Sequence, residues 1–143
     1  MPKVKVEKII KADREKVFNV VTDFENLPKK LPQFFKSIKV LSSEGNTITT
    51  EEQAVMAGRE LHQTVKHMLT PSQIDEVYIL SGDAKDSHVM TRYETVPEGT
   101  KVIVDGDFKL AGKLKLVGFI AKGKIEKGIE DVIDEFAKVA ENS

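Results

Sequence analysis

The sequence has no cysteine, which excludes disulfides, thiolate catalysis and Cys-based zinc sites and fits the cytoplasmic location expected here. It has only three His with no shared short spacing, so no metal is expected. It has no excess of charge of one sign: 22 Lys+Arg face 23 Asp+Glu, a formal net charge of −1. Such a balance sets up no overall field for drawing in nucleic acid, and no aromatic-rich RNA-binding motif appears. No run approaches the roughly 18 apolar residues of a membrane-spanning helix. The opening "MPKVKVEKII" lacks the apolar core and small-residue cleavage site of a signal peptide. Internal repeats, linkers and low-complexity segments are absent too. Nothing in the sequence calls for a cofactor, and none is expected.

What is present is an ordinary globular composition, 40% hydrophobic and 31% charged over 143 residues. A chain of this length forms one domain, residues 1–143, with a real core. "KVKVEKII" alternates with period two and reads as a strand. "ADREKVFNVVTDF" follows, with Asp13 in the N-cap position and Val17, Val20, Val21 and Phe24 on one helical face. Pro28 is expected to stop that helix, and "ENLPKKLP" to form a second short turn ending at Pro32. Phe24, Leu27, Leu31 and Phe34 gather around this break.

From Phe34 to Leu110 the pattern is strand after strand, punctuated by "SSEGN", "AG", "PS", "SGDAKD" and "PEG", where hairpin loops belong. The chain closes on a helical stripe of Leu114, Val117, Ala121, Ile125, Ile129, Val132, Phe136 and Ala140. A helix of about 28 residues spans roughly 42 Å, enough to cross a seven-stranded sheet. The order β-α-α-β6-α predicts an α+β fold: a curved antiparallel sheet of seven strands wrapped around a long C-terminal helix. A strongly curved sheet cannot fill its own concave face, and the long helix closes one side of that groove. A solid α+β core without a cavity is the competing outcome.

Hairpin arithmetic then proposes a lining. If "AG" and "PS" are two-residue loops, Ala54–Leu61, Glu52–Gln63, Thr50–Val65 and Ile48–His67 oppose one another in the first hairpin. The second pairs Leu69–Ile74, His67–Glu76, Val65–Tyr78 and Gln63–Leu80. Opposed residues share a face. The most apolar choice of face turns Ile48, Leu61, Val65, Leu69, Ile74 and Leu80 inward, and with them Glu52, Gln63, His67, Glu76 and Tyr78. His67 beside Glu76 is the sharpest chemical candidate, since a carboxylate favours the imidazolium and the pair could shuttle a proton. The blander alternative is an exposed cross-strand pair worth little. No nucleophile stands at a recognisable spacing from it. The sixth strand turns either Val89, Thr91 and Tyr93 inward, which buries no charge, or His88, Met90, Arg92 and Glu94. On the last strand Val102, Val104 and Phe108 point inward, and Gly106 is read as a bulge.

Gly118, Gly123 and Gly128 each cost a helix about 1 kcal/mol against alanine. At least one of them leaves space for a ligand, or the N-terminal part of this helix is loosely held; the competing reading is a late-starting helix with residues 111 to 118 in a loop. Lys113, Lys115, Lys122, Lys124 and Lys127 crowd the first half of this segment, among Leu116, Phe119 and Ile120. They form either a basic, apolar entrance for an anionic head group or membrane surface, or a solvated face.

The layout, and particularly "IIKADREKVFNVVTDFENLPKKLPQF", resembles the helix-grip superfamily of START domains, polyketide cyclases/dehydrases and birch-pollen-allergen-like proteins. The nearest look is to its polyketide cyclase and coenzyme-Q-binding branch. The motifs that carry it are I-x-A before the first helix, V-F-x-V-V-x-D-F within it, L-P before the second strand, and "PEGTKV" and "DFKLAG" near the end. The resemblance implies a cavity between helix and sheet that holds an apolar or amphipathic small molecule. Its expected lining is Thr50, Ala54, Val65, His67, Glu76, Tyr78, Thr91, Tyr93, Val104, Phe108, Val117, Ala121 and Ile125. The leading expectation is a binding or transfer protein for a lipid, isoprenoid quinone or polyketide-like molecule, with transient membrane-surface contact. The second is a cyclase or dehydratase using His67 and Glu76 as acid and base. The third is a partner-binding regulator whose cavity is vestigial.

Overall fold

The computed structural model describes residues 3–56, 58–109 and 118–143. Strand β1 (Lys3–Ile10) leads into α1 (Arg14–Val21), one 3-10 turn (Phe24–Asn26) and the short α2 (Leu27–Lys30). Strands β2 (Phe35–Glu44), β3 (Thr47–Met56), β4 (Arg59–Thr70), β5 (Ile74–Ile79), β6 (His88–Val96) and β7 (Gly99–Asp107) follow, then α3 (Gly118–Glu141). All seven strands form one antiparallel sheet in the order β1-β7-β6-β5-β4-β3-β2. This is the predicted α+β helix-grip architecture: a curved sheet wrapped around a long terminal helix. No described helix is long and apolar enough to cross a membrane.

The helix break has a cause different from the one expected. Helix α1 ends at Val21, seven positions before Pro28. Thr22 Oγ1 donates to the Phe18 carbonyl at 2.8 Å, and Asn26 Nδ2 donates to the Asp23 carboxylate at 2.9–3.0 Å. These side-chain bonds stand in for helical ones and turn the chain. Pro28 then sits in the first turn of α2, where its missing N–H costs nothing. It opens a helix and does not end one. Asp13 occupies the N-cap of α1 with extended backbone but makes no capping side-chain bond.

The alternation of β1 buries Val4, Val6 and Ile10 beneath α3, whose Ile125, Ile129, Ile133, Phe136 and Ala140 form the facing stripe. Helix α1 adds Val17, Phe18 and Val20, and Phe18 meets Tyr93 edge-on at 5.3 Å. This core lies against β1 and β7, at one side of the sheet. The 24 residues of α3 reach roughly 36 Å, so the helix crosses the sheet while the centre of the hollow stays open.

Gly106 is no bulge, because the registers β1–β7 and β6–β7 run through it without a shift. A Cβ there would lie 2.5 Å from the Phe108 ring, so the glycine makes room for Phe108 to fold back over the strand. Gly99 is tighter still. It has φ +141°, and a Cβ would stand 2.3 Å from the Ile10 carbonyl oxygen, a backbone atom that cannot yield. Gly99→Ala is expected to lose about 1–3 kcal/mol, read as a lowered urea midpoint. An unchanged midpoint would mean that the β1–α1 junction yields freely.

Candidate functional site

Two hairpin turns decide which side chains meet in the hollow. In β3–β4 the partners are Ala54↔Leu61, Glu52↔Gln63, Thr50↔Val65 and Ile48↔His67, the predicted register. In β4–β5 they are Val65↔Ile79, His67↔Val77, Leu69↔Asp75 and Thr70↔Ile74, one residue away from the prediction. The loop has three residues, not two. Pro71 takes the first position, Ser72 adopts φ 63°, and Gln73 N–H closes on the Thr70 carbonyl at 2.9 Å.

That single step exchanges the faces of β5. Glu76 and Tyr78, expected inward, lie on the convex side. There Tyr78 donates to Glu76 at 3.2 Å, His88 Nε2 meets Glu76 at 2.8 Å, and the Tyr78 and His88 rings stack at 4.5 Å. The proposed His67/Glu76 dyad therefore does not exist. Leu80 is 43% exposed, and Ile74 shares the outward parity of Glu76. Asp75, Val77 and Ile79 turn inward in their place.

The hollow is a cavity of about 340 Å³. Its walls are mainly apolar: Ala54, Val65, Val77, Val89, Val102 and Val104 from the sheet, Phe24 and Leu27 from the helix break, and Ile125, Ile129 and Phe136 from α3. Phe108 lines it as well. Of the two faces open to β6, the one carrying Val89, Thr91 and Tyr93 lines the cavity. Val117 lies outside the described residues, as does the side chain of Ala121. Thr50 is fully buried and is not among the lining residues; its hydroxyl donates to Glu52 at 2.6 Å.

Set into this apolar wall is one charged cluster. Glu52, His67 and Asp75 are 6%, 7% and 5% exposed. His67 Nδ1 lies 3.1 Å from Asp75 Oδ1, and His67 Nε2 lies 3.1 Å from Glu52 Oε2. A neutral imidazole has only one N–H and would turn its bare nitrogen toward a carboxylate. With acceptors on both sides the ring carries both protons. Burial is the largest influence on this group and opposes the charge. The hydrogen bonds to Asp75 and then Glu52, with the charges of both, together outweigh it and raise His67 from 6.5 to about 9. The Phe24 ring covers the imidazolium at 4.2 Å, its π face toward the cation. Tyr93, on the same side of the cavity, is pushed well above 10 by burial and then by the Asp75 charge, so it remains a neutral phenol.

The family model described as polyketide cyclase / dehydrase and lipid transport matches residues 1–141. The chain belongs to this family. Among solved structures it is similar to TTHA0849 from Thermus thermophilus, at 19% identity over 97% of both chains with a TM-score of 0.84. A START superfamily protein from Mycobacterium smegmatis matches at 16% identity over 99% of both chains, TM-score 0.84. The Zhui aromatase/cyclase from Streptomyces sp. R1128 matches at 15% identity over 97% of this chain and 93% of that one, TM-score 0.79. Identities this low speak for the fold. No curated protein matches.

As a member of the polyketide cyclase/dehydrase and lipid transport family, the chain has its hollow between sheet and terminal helix. Of the lining expected from sequence, Ala54, Val65, His67, Thr91, Tyr93, Val104, Phe108 and Ile125 meet there. Asp75 was missed. The signal that could have found it was Pro71, because a two-residue hairpin loop needs φ > 0 at its first residue and proline is held near −65°. Gly123 is exposed, and nothing lies within 4 Å of where its Cβ would be. It opens no space inside the cavity, and Gly128 is buried. Lys122, Lys124 and Lys127 are exposed; Lys124 borders the cavity, while Lys127 pairs with Asp131. Lys113 and Lys115 lie outside the described residues.

Proposed function

We propose that this protein binds an apolar or amphipathic small molecule in the cavity and holds or carries it without transforming it. The observation that carries this reading is an apolar hollow whose one buried basic side chain, among the described residues, is saturated. Both His67 nitrogens are committed to carboxylates, which leaves none to take a proton from a substrate. The family description names lipid transport beside polyketide cyclase / dehydrase, so a carrying role lies within the family's range. A volume of about 340 Å³ lies near the lower end of the roughly 300–1,000 Å³ typical of small-molecule sites. It suits a single-chain or few-ringed molecule better than a diacyl lipid. The exposed Lys122 and Lys124 make brief contact with an anionic membrane surface a natural route for loading.

Two measurements test the proposal. Native mass spectrometry of the purified protein is expected to show a co-purifying small apolar molecule. The neutral fluorophore N-phenyl-1-naphthylamine should bind the wild type. It should bind Ala54→Trp at least tenfold more weakly, because the indole fills the hollow while the hairpin keeps its register. Equal binding by an Ala54→Trp variant with an unchanged unfolding midpoint would place the probe elsewhere and remove the cavity from the function.

A further inference from the structure

The charged cluster on the inner wall offers acceptors and no free proton, while Thr91 and Tyr93, which carry hydroxyls, also line the cavity. Glu52 and Asp75 contribute two carboxylates against the one positive charge of His67, so the cluster keeps an excess of negative charge inside the hollow. His67 gives both its N–H groups to those carboxylates, and Thr50 gives its hydroxyl hydrogen to Glu52. Neither has a proton left for a guest. The cations that border the cavity, Arg59 and Lys124, are exposed, so water and salt weaken their pull.

Resting on the binding reading above, we propose that the ligand enters with a hydrogen-bond-donating group foremost, a hydroxyl, phenol or amine, and that this wall rejects a carboxylate or phosphate. The polar head docks against Glu52 and Asp75, and the apolar remainder lies along α3. Specificity here comes mostly from repulsion. An anionic head would leave water to face carboxylates that are already in excess, whereas a donor can bond to them.

Decanol, decylamine and decanoate share one chain and differ only in the head. In competition with N-phenyl-1-naphthylamine at pH 7, decanol and decylamine are expected to displace the probe at concentrations at least tenfold below decanoate. Glu52→Gln, which removes the excess negative charge, should narrow the gap between decanol and decanoate. If decanoate competes as well as decanol in the wild type, this inference falls while the binding reading stands. If neither the probe nor any of the three binds, the binding reading falls and this inference with it.

Discussion

Replacing His67 with Leu is expected to cost about 3–5 kcal/mol of folding stability, the amount typical of a buried charge group that loses its partner. The loss comes less from the missing contacts than from what stays behind: Glu52 and Asp75, both nearly inaccessible to water, would face each other across an apolar gap with no cation between them. The same reasoning predicts a rescue. In the triple variant Glu52→Gln, His67→Leu, Asp75→Asn no charge is left to desolvate, and most of the loss should return. The chain has no Trp, so unfolding in urea is best followed by circular dichroism. A loss below about 1 kcal/mol for His67→Leu would mean that the cavity hydrates the two carboxylates, and the triple variant would then gain nothing. Either outcome bears on function, because a hydrated cluster could not select a ligand's head by repulsion.

The order of elements was legible because Gly, Pro, Asn and Asp punctuate strands whose period of two is clear, and because Ile125, Ile129, Phe136 and Ala140 keep one helical stripe that ends up buried. The β3–β4 register was legible for the same reason: a two-residue loop at "AG" suits alternating strands, and Gly58 takes φ 78°. Strand β5 was not. Its two faces, Ile74-Glu76-Tyr78 and Asp75-Val77-Ile79, each mix apolar with acidic residues, so hydrophobicity could not choose between them. Only the turn could, and Pro71 was the clue. One residue in that loop moved the site from an imagined His67/Glu76 dyad to the observed Glu52–His67–Asp75 clamp. Glu52 was expected on the inner face, but its role came into view only once Asp75 stood opposite. Gly106 shows another limit. A strand glycine signals a bulge or a close approach, and whether the Phe108 ring folds back over it is a tertiary event that neither residue announces.

The clamp should also make stability depend on pH in a window where few other groups act. His67 is held near 9 in the folded protein against an ordinary value of 6.5. Below pH 6.5 the ring is protonated whether folded or unfolded, and its full contribution is present. As pH rises past 6.5 the unfolded chain gives up the proton while the folded chain keeps it, so stability declines. Above about 9 both states are neutral there and the contribution is gone. The span from 6.5 to about 9, at about 1.4 kcal/mol per pH unit, amounts to roughly 3 kcal/mol. Against a typical domain stability of roughly 5–15 kcal/mol that is a large share. Tyr93, raised well above 10, acts only at higher pH and does not blur the window. Urea midpoints of the wild type are therefore expected to fall steadily between pH 6.5 and 9. The gap between wild type and His67→Leu should be widest near pH 6 and should narrow as pH approaches 9.5. Two curves running parallel across that window would show that His67 titrates alike in the folded and unfolded chain, which no imidazolium clamped between two buried carboxylates can do.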